Sequence, residues 1–417
     1  MGCMVVRVLV VGHGAREHAI AKKLAEEDVE LHAAMSRRNP GIAGLSRRVE
    51  IMDINDRDSY NRFKGVDIAF VGPEAPLAAG VTDRLNELDI PVVGPTRPLA
   101  RLEWSKAFTR QFLQDHGIEG NPEFSICRDL GDVRSFLSNH VEVAVKPDVL
   151  TGGKGVKITG EHLNSAAEVE TYAAERIRSD GLVVLEERLV GREFTLQAFT
   201  DGNRVEVMPL VRDYKRALDG DRGPNTGSMG SYSCPDHGLP DLPESAVRTG
   251  EGILERTVRE LRRVEGRFKG VLYGGFMDTA DGVFLLEYNV RFGDPEALNV
   301  LALLETPLLE VGWEIVDGRL SKPDFREEAT VCVYLVPEGY PTDPKRGTPV
   351  VIEPPSSSEL YYASVLEEEG VVYTTTSRSV ALLARGATVD EAREKVYGDV
   401  PSIKGDLFYR RDIAAAV

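Results

Sequence analysis

Residues Val8–Leu24, VLVVGHGAREHAIAKKL, read as a buried strand, a glycine turn and a helix. From Val5 to about Pro95, short apolar runs (VVRVLVVG, DIAFVG, IPVVG) alternate with helix-like stretches (AREHAIAKKLAEE, GVTDRLNEL). That alternation predicts a parallel sheet with crossover helices. The GHG core invites a dinucleotide-binding label. That fingerprint needs G-x-G-x-x-G, and Glu17 stands where its third glycine lets helix and strand press together. Nor does an acid end a second strand about 20 residues on, where VELHAAMSRRNPG supplies arginines instead. What remains is a helix amino terminus with backbone donors beside Arg16, suited to one phosphate; an ordinary first helical turn is the alternative.

The 417 residues suffice for about two to four domains, and 42% are apolar, enough for cores throughout. With 67 acidic against 50 basic residues, the net charge of -17 argues against wrapping nucleic acid or lying on an anionic membrane. Anionic ligands must then be held locally. No run of about 18 apolar residues occurs, and no cleavable apolar segment precedes the first strand, so a cytoplasmic location is expected. Gly2 is followed by Val6 where a myristoylation signal needs Ser or Thr, and Met4 is an alternative start. Cys3, Cys127, Cys234 and Cys332 are too scattered to imply a disulfide framework or a thiolate metal site.

GPTRPLARLEWSKAF leads into a second region that runs to about Leu304 and holds two glycine-rich islands, KPDVLTGGKG and DGDRGPNTGSMGSYS. Only 13 of the 50 basic residues are lysines, and five of them (Lys106, Lys146, Lys154, Lys157, Lys215) lie in or beside this region's polar motifs, which points to phosphate. Lys146 ends the apolar strand VEVAV, and Gly152, Gly153 and Gly155 surround Lys154. Glycines let backbone N–H groups converge on phosphate oxygens while a lysine adds a point charge. This is not a Walker loop, because Gly155 follows Lys154 where Ser or Thr is needed and Asp148 takes the place of its first glycine. A glycine-rich hairpin turn with a solvated lysine is the alternative.

In VFLLEYNVRFGDPEA, Glu287 and Asn289 stand two apart on a strand, so both leave by one face. The apolar context predicts a carboxylate and an amide buried together, a pair that suits magnesium; an ion pair between Glu287 and Arg291 is the alternative. A hydrophobic helix follows over PEALNVLALLETPLLEVGWEIVDGRL, and a third segment starts near Ala329. Its late helix opens with Thr388 and Glu391 spaced as a capping box.

SKAFTRQFLQDHGI (Ser105–Ile118), KPDVLTGGKGV (Lys146–Val156), VLEERLVGREF (Val184–Phe194), DYKRALDGDRGPNTGSMGSYS (Asp213–Ser233) and LLEYNVRFGDPE (Leu285–Glu296) occur in this order. In them the chain resembles the ATP-grasp enzymes, and among those the phosphoribosylamine–glycine ligase family of purine biosynthesis. GPNTGSMGSYS and NVRFGDPE are particular to that family, and VGPEAPLAAGVTDRL and FYRRDI extend the resemblance over nearly the whole chain. It implies an α/β fold with four parts: an amino-terminal parallel-sheet domain (1–104), a two-lobed α+β ATP-grasp region (105–304), a connecting helix and linker (305–328) and a small carboxy-terminal α+β domain (329–417). The implied reaction joins glycine to 5-phosphoribosylamine through a glycyl phosphate, with ATP and Mg2+ or Mn2+.

The resemblance also implies residue roles. Lys106, Lys146 and the Gly152, Gly153, Lys154 and Gly155 loop would hold the ATP phosphates, and Glu287 with Asn289 the metal. Glu186 would meet the adenine amino group, the backbone at Arg188 and Leu189 the adenine edge, and Glu193 the ribose hydroxyls. Asp213 would take the glycine ammonium, with Arg291 and Lys215 near its carboxylate or the transferred phosphate and Asp294 on the substrate side. Gly14, Arg16, Glu17 and the Pro73–Glu74 turn would receive phosphoribosylamine, its 5-phosphate at the helix start. The loop from Leu218 to Tyr232 looks like a lid over the triphosphate. The expected partners are these small molecules alone, without nucleic acid or membrane, on a monomer or small homo-oligomer. Ala15, Tyr214, Pro147 and Val149 depart from the family pattern; Tyr214 replaces an imidazole, and the last two put the loop geometry in question.

Two rival readings stay open on the sequence. One is another ATP-grasp enzyme acting on a different carboxylate such as bicarbonate, against which the GPNTGSMGSYS and GHGAREH stretches argue. The other is a nucleotide-binding regulatory protein, which would have no use for Lys106, Lys146, Glu287 and Asn289 together.

Overall fold

A computed structural model of the chain describes residues 5–150, 155–415 and 417; Cys3, Gly152, Gly153 and Lys154 lie outside the described residues. Five parallel strands build the amino-terminal sheet, in the order Arg48–Ile51, Val29–Met35, Val6–Val11, Ile68–Val71 and Val92–Val93. Val8, Leu9, Val10 and Val11 are all buried, as an unbroken apolar run requires of a central parallel strand covered on both faces. The strand order reverses between Val6–Val11 and Ile68–Val71, so a crevice opens at their carboxyl ends, Gly12–Gly14 and Gly72–Glu74.

Two antiparallel four-stranded sheets form the middle of the chain. The smaller lobe pairs Phe124–Cys127, Val183–Glu187, Val143–Pro147 and Lys157–Ile158, and helices Leu130–Leu137 and Ala166–Asp180 give it a core of its own around Val133, Val145, Val169 and Leu185. The larger lobe pairs Val205–Val207, Arg192–Thr200, Gly270–Thr279 and Gly282–Asn289 under the helix Glu244–Val264.

The carboxy-terminal sheet runs Arg212–Asp213, Gly230–Ser233, Ala329–Pro337, Val380–Gly386 and Glu359–Tyr362. Its first two strands come from the middle of the chain, so one sheet joins segments that the sequence reading placed in separate regions. The expected Leu218–Tyr232 loop is therefore not a free lid. Arg216–Leu218 and Arg222–Asn225 form a hairpin, and Gly230–Ser233 is a buried strand. A Cβ on Gly230 would stand 2.4 Å from the Cys332 carbonyl oxygen, too close for any side chain.

The hydrophobic helix expected from Pro295 to Leu320 is two helices, Glu296–Leu303 and Leu308–Asp317, because Pro307 cannot donate and constrains Thr306. Thr388 accepts the Glu391 N–H at 3.2 Å, while Glu391 reaches back to Ala387 rather than Thr388. No helix among the described residues is long and apolar enough to cross a membrane. The α/β architecture of a parallel-sheet amino terminus, a two-lobed middle and a small α+β carboxyl terminus agrees with the expectation.

Candidate active site

Glu17 fills the crevice above the parallel sheet. Its carboxylate accepts the Gly14 N–H at 2.6 Å and the Arg16 guanidinium at 2.6 Å. A Cβ on Gly12 or Gly72 would stand 2.5 or 2.2 Å from Glu17 atoms, so these glycines make room for it. Arg16 is buried and also donates to the Phe292 carbonyl at 3.1 Å. The cradle that would receive a phosphate at this helix start thus already holds a negative charge, and Arg16 is matched internally. The geometry turns the phosphate expectation away from Gly14 and Arg16.

On the other side of the crevice Pro73 precedes the helix Glu74–Ala79, and Glu74 lies 3.5 Å from Arg291. Arg291 also meets Glu103 at 3.0 Å and donates to Asn289 Oδ1 at 2.9 Å. Burial alone would lower its pKa, but Glu103 and Glu74 outweigh burial and hold it above the ordinary guanidinium value. Glu103 in turn accepts the Val290 N–H at 2.8 Å. Arg291 is therefore the partner of Glu74 and Glu103, and the alternative pairing with Glu287 is not realised.

Lys146, at the end of the Val143–Pro147 strand, lies 2.8 Å from Glu186. Arg110 donates to both oxygens of the same carboxylate at 2.7 and 2.9 Å. Burial pulls the Lys146 ammonium below the usual lysine range against the attraction of Glu186. Three of the roughly four acceptor positions of the Glu186 carboxylate are taken, so its first partners are these two cations rather than an adenine amine.

Glu287 and Asn289 leave one face of the Gly282–Asn289 strand as expected, but Glu287 is exposed rather than buried. Glu287 has no ion-pair partner among the described residues; its charge adds to those of Asp213 and Glu193 in holding Lys215 up, and opposes without overcoming the burial that lowers Lys146. Lys215 pairs with Glu193 at 2.7 Å and is also attracted by the Asp213 carboxylate. Burial raises the Asp213 carboxyl, and burial followed by Asp213 pushes the Glu296 carboxyl up to about 7; Tyr273 donates to Glu296 at 3.0 Å.

Lys106 donates to the Val149 carbonyl at 2.9 Å, while Asp148 accepts the Ala107 N–H at 2.9 Å and the Ser105 hydroxyl at 3.1 Å. These bonds tie the helix start at Lys106 to the rim of the glycine island. Gly155 accepts the Tyr172 hydroxyl at 2.7 Å. The Arg188 N–H donates to the Glu142 carbonyl at 3.1 Å, so of the Arg188 and Leu189 backbone the first amide is engaged. Asp294 pairs with Arg378 at 3.1 Å and accepts the Tyr334 hydroxyl.

No group of three or more His, Cys, Asp or Glu side chains able to hold a metal occurs among the described residues. An exposed carboxylate and a neighbouring amide oxygen, which keeps a second lone pair beside its bond to Arg291, nevertheless fit an ion that takes one or two protein oxygens and completes its shell with phosphates and water.

Three family models match in series. The phosphoribosylglycinamide synthetase N domain matches residues 6–103, its ATP-grasp domain 104–297 and its C domain 330–416. The chain belongs to the phosphoribosylglycinamide synthetase family. It is 46% identical over 415 residues to the phosphoribosylamine–glycine ligase of Methanoregula boonei, covering 98% of this chain and 96% of that one. The ligase of Thermococcus gammatolerans is 45% identical over 98% of this chain and 94% of its own. The crystal structure of phosphoribosylamine–glycine ligase from Thermotoga maritima superposes with a TM-score of 0.86 at 29% identity, covering 98% of this chain and all 100% of that one. The biotin carboxylase domain of the 2-oxoglutarate carboxylase of Hydrogenobacter thermophilus, 14% identical with a TM-score of 0.72 over 97% of this chain and 91% of that one, shares the fold alone.

Four residues of this phosphoribosylglycinamide synthetase family member escaped the sequence reading. Arg110 lies inside SKAFTRQF, four positions beyond Lys106 and one helical turn from it, and only the buried Glu186 betrays its purpose. Glu103 carries a signal in LEWSK, a carboxylate three residues before Lys106. Arg378 and Arg410 come from the carboxy-terminal domain, and no local pattern announces contacts 84 and 194 residues away in sequence.

Proposed function

We propose that the chain joins glycine to 5-phosphoribosylamine with ATP, giving glycinamide ribonucleotide, ADP and phosphate. The observation that carries this reading is Glu287 and Asn289 on one strand face, with Lys146 and Lys215 in the field of the uncommitted Glu287 carboxylate. Membership of the family supports ATP use. A divalent ion on Glu287 and Asn289, magnesium by its preference for oxygen, would neutralise charge on the nucleotide phosphates.

The chain's own residues supply the rest. Lys106 and Lys146, with the loop of Gly152, Gly153, Lys154 and Gly155, bind the phosphates; Arg110 and Glu186 fix Lys146 in place. The γ-phosphoryl group passes to a glycine carboxylate oxygen, the amine of phosphoribosylamine attacks that carbonyl carbon, and phosphate leaves. Asp213, half-buried and beside Glu296, holds the glycine ammonium. Arg291, kept charged by Glu74 and Glu103, faces the glycine carboxylate and the growing negative charge of the acyl transfer. The amine substrate lies at the carboxyl ends of the parallel strands, where Glu17, Glu74 and Asp294 accept its hydrogen bonds.

The test is ADP release with ATP, magnesium and glycine, with and without phosphoribosylamine formed in place from ribose 5-phosphate and ammonia. Release that needs both substrates is expected. Release with bicarbonate instead, or none with any carboxylate, overturns the proposal.

A further inference from the structure

Arg37 carries a charge that no carboxylate among the described residues balances. It follows the strand Val29–Met35, on the same carboxyl-end rim as the GHG turn, and is half-buried. Among the described residues its Nη2 reaches only His13 Nε2, at 3.3 Å, and Ser364 Oγ, at 3.1 Å. Its Nε is buried with no acceptor among the described residues, and no carboxylate lies within ion-pair distance of it among them. The neighbouring Arg38, by contrast, pairs with Glu367 at 3.0 Å. Burial, then the charges of Arg37 and Arg16 against that of Glu17, keeps the His13 pKa below the usual histidine value, so the ring beside Arg37 is a neutral acceptor. A desolvated guanidinium on neutral acceptors is unfavourable unless an anion completes it.

The surroundings are hydrogen-bonding groups from two domains. Ser36 Oγ stands 3.0 Å from His13 Nδ1, and Ser364 Oγ 2.8 Å from Thr375 Oγ1. Asn39 locks the rim by donating to the His13 carbonyl at 2.9 Å and the Tyr362 carbonyl at 2.8 Å. Next in the turn comes Gly14, where a Cβ would stand 4.0 Å from Asp294 Oδ2, so this rim adjoins the site described above.

We propose that Arg37, flanked by the Ser36 hydroxyl and held in place by His13 of the amino-terminal domain and Ser364 of the carboxy-terminal domain, is the subsite for the phosphoryl group of the sugar-phosphate substrate. The inference rests on the ligase reading, and it replaces Arg16, which Glu17 and Phe292 already occupy. With Nη2 on His13 and Ser364, the Arg37 donors left for a phosphate oxygen are those of Nη1 and Nε, carried on a charge that is never lost.

The probes are ribose 5-phosphate and ribose, titrated directly onto the full chain and used as inhibitors against phosphoribosylamine. Arg37→Ala is expected to weaken ribose 5-phosphate by about 10- to 100-fold, the loss of one strong charge-assisted contact. Ribose, ATP and the melting temperature should not move, and Arg37→Lys should recover part of the loss. Wild-type affinity of Arg37→Ala for ribose 5-phosphate, or an equal loss for both sugars, overturns the assignment. If the wild-type chain makes no ADP from glycine and phosphoribosylamine while Arg37 still separates the two sugars, the ligase reading fails and the phosphate subsite stands.

Discussion

Lys146 Nζ stands 2.8 Å from Glu186, and Arg110 grips the same carboxylate from its other side, with all three side chains no more than a tenth exposed. The two cations therefore have unequal duties. Arg110→Ala leaves a buried carboxylate short of its bidentate partner and should destabilise the fold by about 3–5 kcal/mol. Lys146→Met leaves Glu186 on Arg110, so its loss of stability should be smaller while ATP affinity falls at least roughly tenfold, the effect of one charged contact. Urea denaturation and nucleotide titration separate the two; an Arg110→Ala protein as stable as wild type would contradict the arrangement.

Glu287 is exposed and has no ion-pair partner among the described residues, so its removal should not cost stability. Glu287→Gln is expected to melt within a degree or two of wild type yet lose roughly a hundredfold or more in ADP formation, as removal of one aimed electrostatic group does. Manganese binding followed by paramagnetic resonance should weaken in parallel. Normal metal affinity in the variant would remove Glu287 from the metal site.

Arg410 ties the hairpin of Arg216–Leu218 and Arg222–Asn225 to the carboxyl-terminal segment. It is almost wholly buried, pairs with Asp221 and Asp412 at 2.7 Å each, donates to the Arg216 carbonyl at 3.1 Å, and lies 4.9 Å from the Tyr214 ring centre. Tyr214, where the family pattern has an imidazole, accepts the Ala414 N–H at 3.0 Å and so belongs to the same clasp. Arg410→Ala should open the hairpin more often, and each loss of about 1.4 kcal/mol of local stability should speed trypsin cleavage at Arg222 roughly tenfold. Fragment mass gives the cut site. Unchanged cleavage would mean that the hairpin is held elsewhere.

The sequence carried the fold where periodicity was unmixed. Val8–Val11 could only be a central strand, and the alternation to Pro95 could only be parallel. It carried Glu287 and Asn289 as a same-face pair because strand geometry alone fixes that. The apolar context of LLEYN misleads about the burial of Glu287, since Leu285 and Tyr288 join the core while Glu287, between them in sequence, is exposed. Leu218–Tyr232 reads locally as a loop, because Gly, Asn and Ser mark turns, whereas Gly230–Ser233 is a strand only through pairing with Thr330–Val333 about a hundred residues on. The ownership of Arg16, Glu186 and Lys215 was illegible for one reason: each is decided by a partner that only the folded chain brings near.

Glu296 makes the stability of the chain depend on pH in a direction that can be worked out. Burial, then the charge of Asp213, pushes its carboxyl up to about 7 from an ordinary 4.5. The folded state therefore holds this proton more tightly than the unfolded chain. Its stabilising effect is fully present below about pH 4.5 and is lost as pH rises through 7. Glu296→Gln has no proton to lose, so relative to wild type it should gain stability between about pH 5 and pH 8, read by urea denaturation at both. A difference that stays constant with pH would mean that the carboxylate is charged and compensated in the fold. Glycine supplies a further check, because an ammonium held by Asp213 would also favour the Glu296 carboxylate and lower its pKa. Glycine binding near pH 6 to 7 should then release protons, measured as a dependence of the binding heat on buffer ionisation, and Glu296→Gln should reduce that release, leaving only the part that Asp213 supplies.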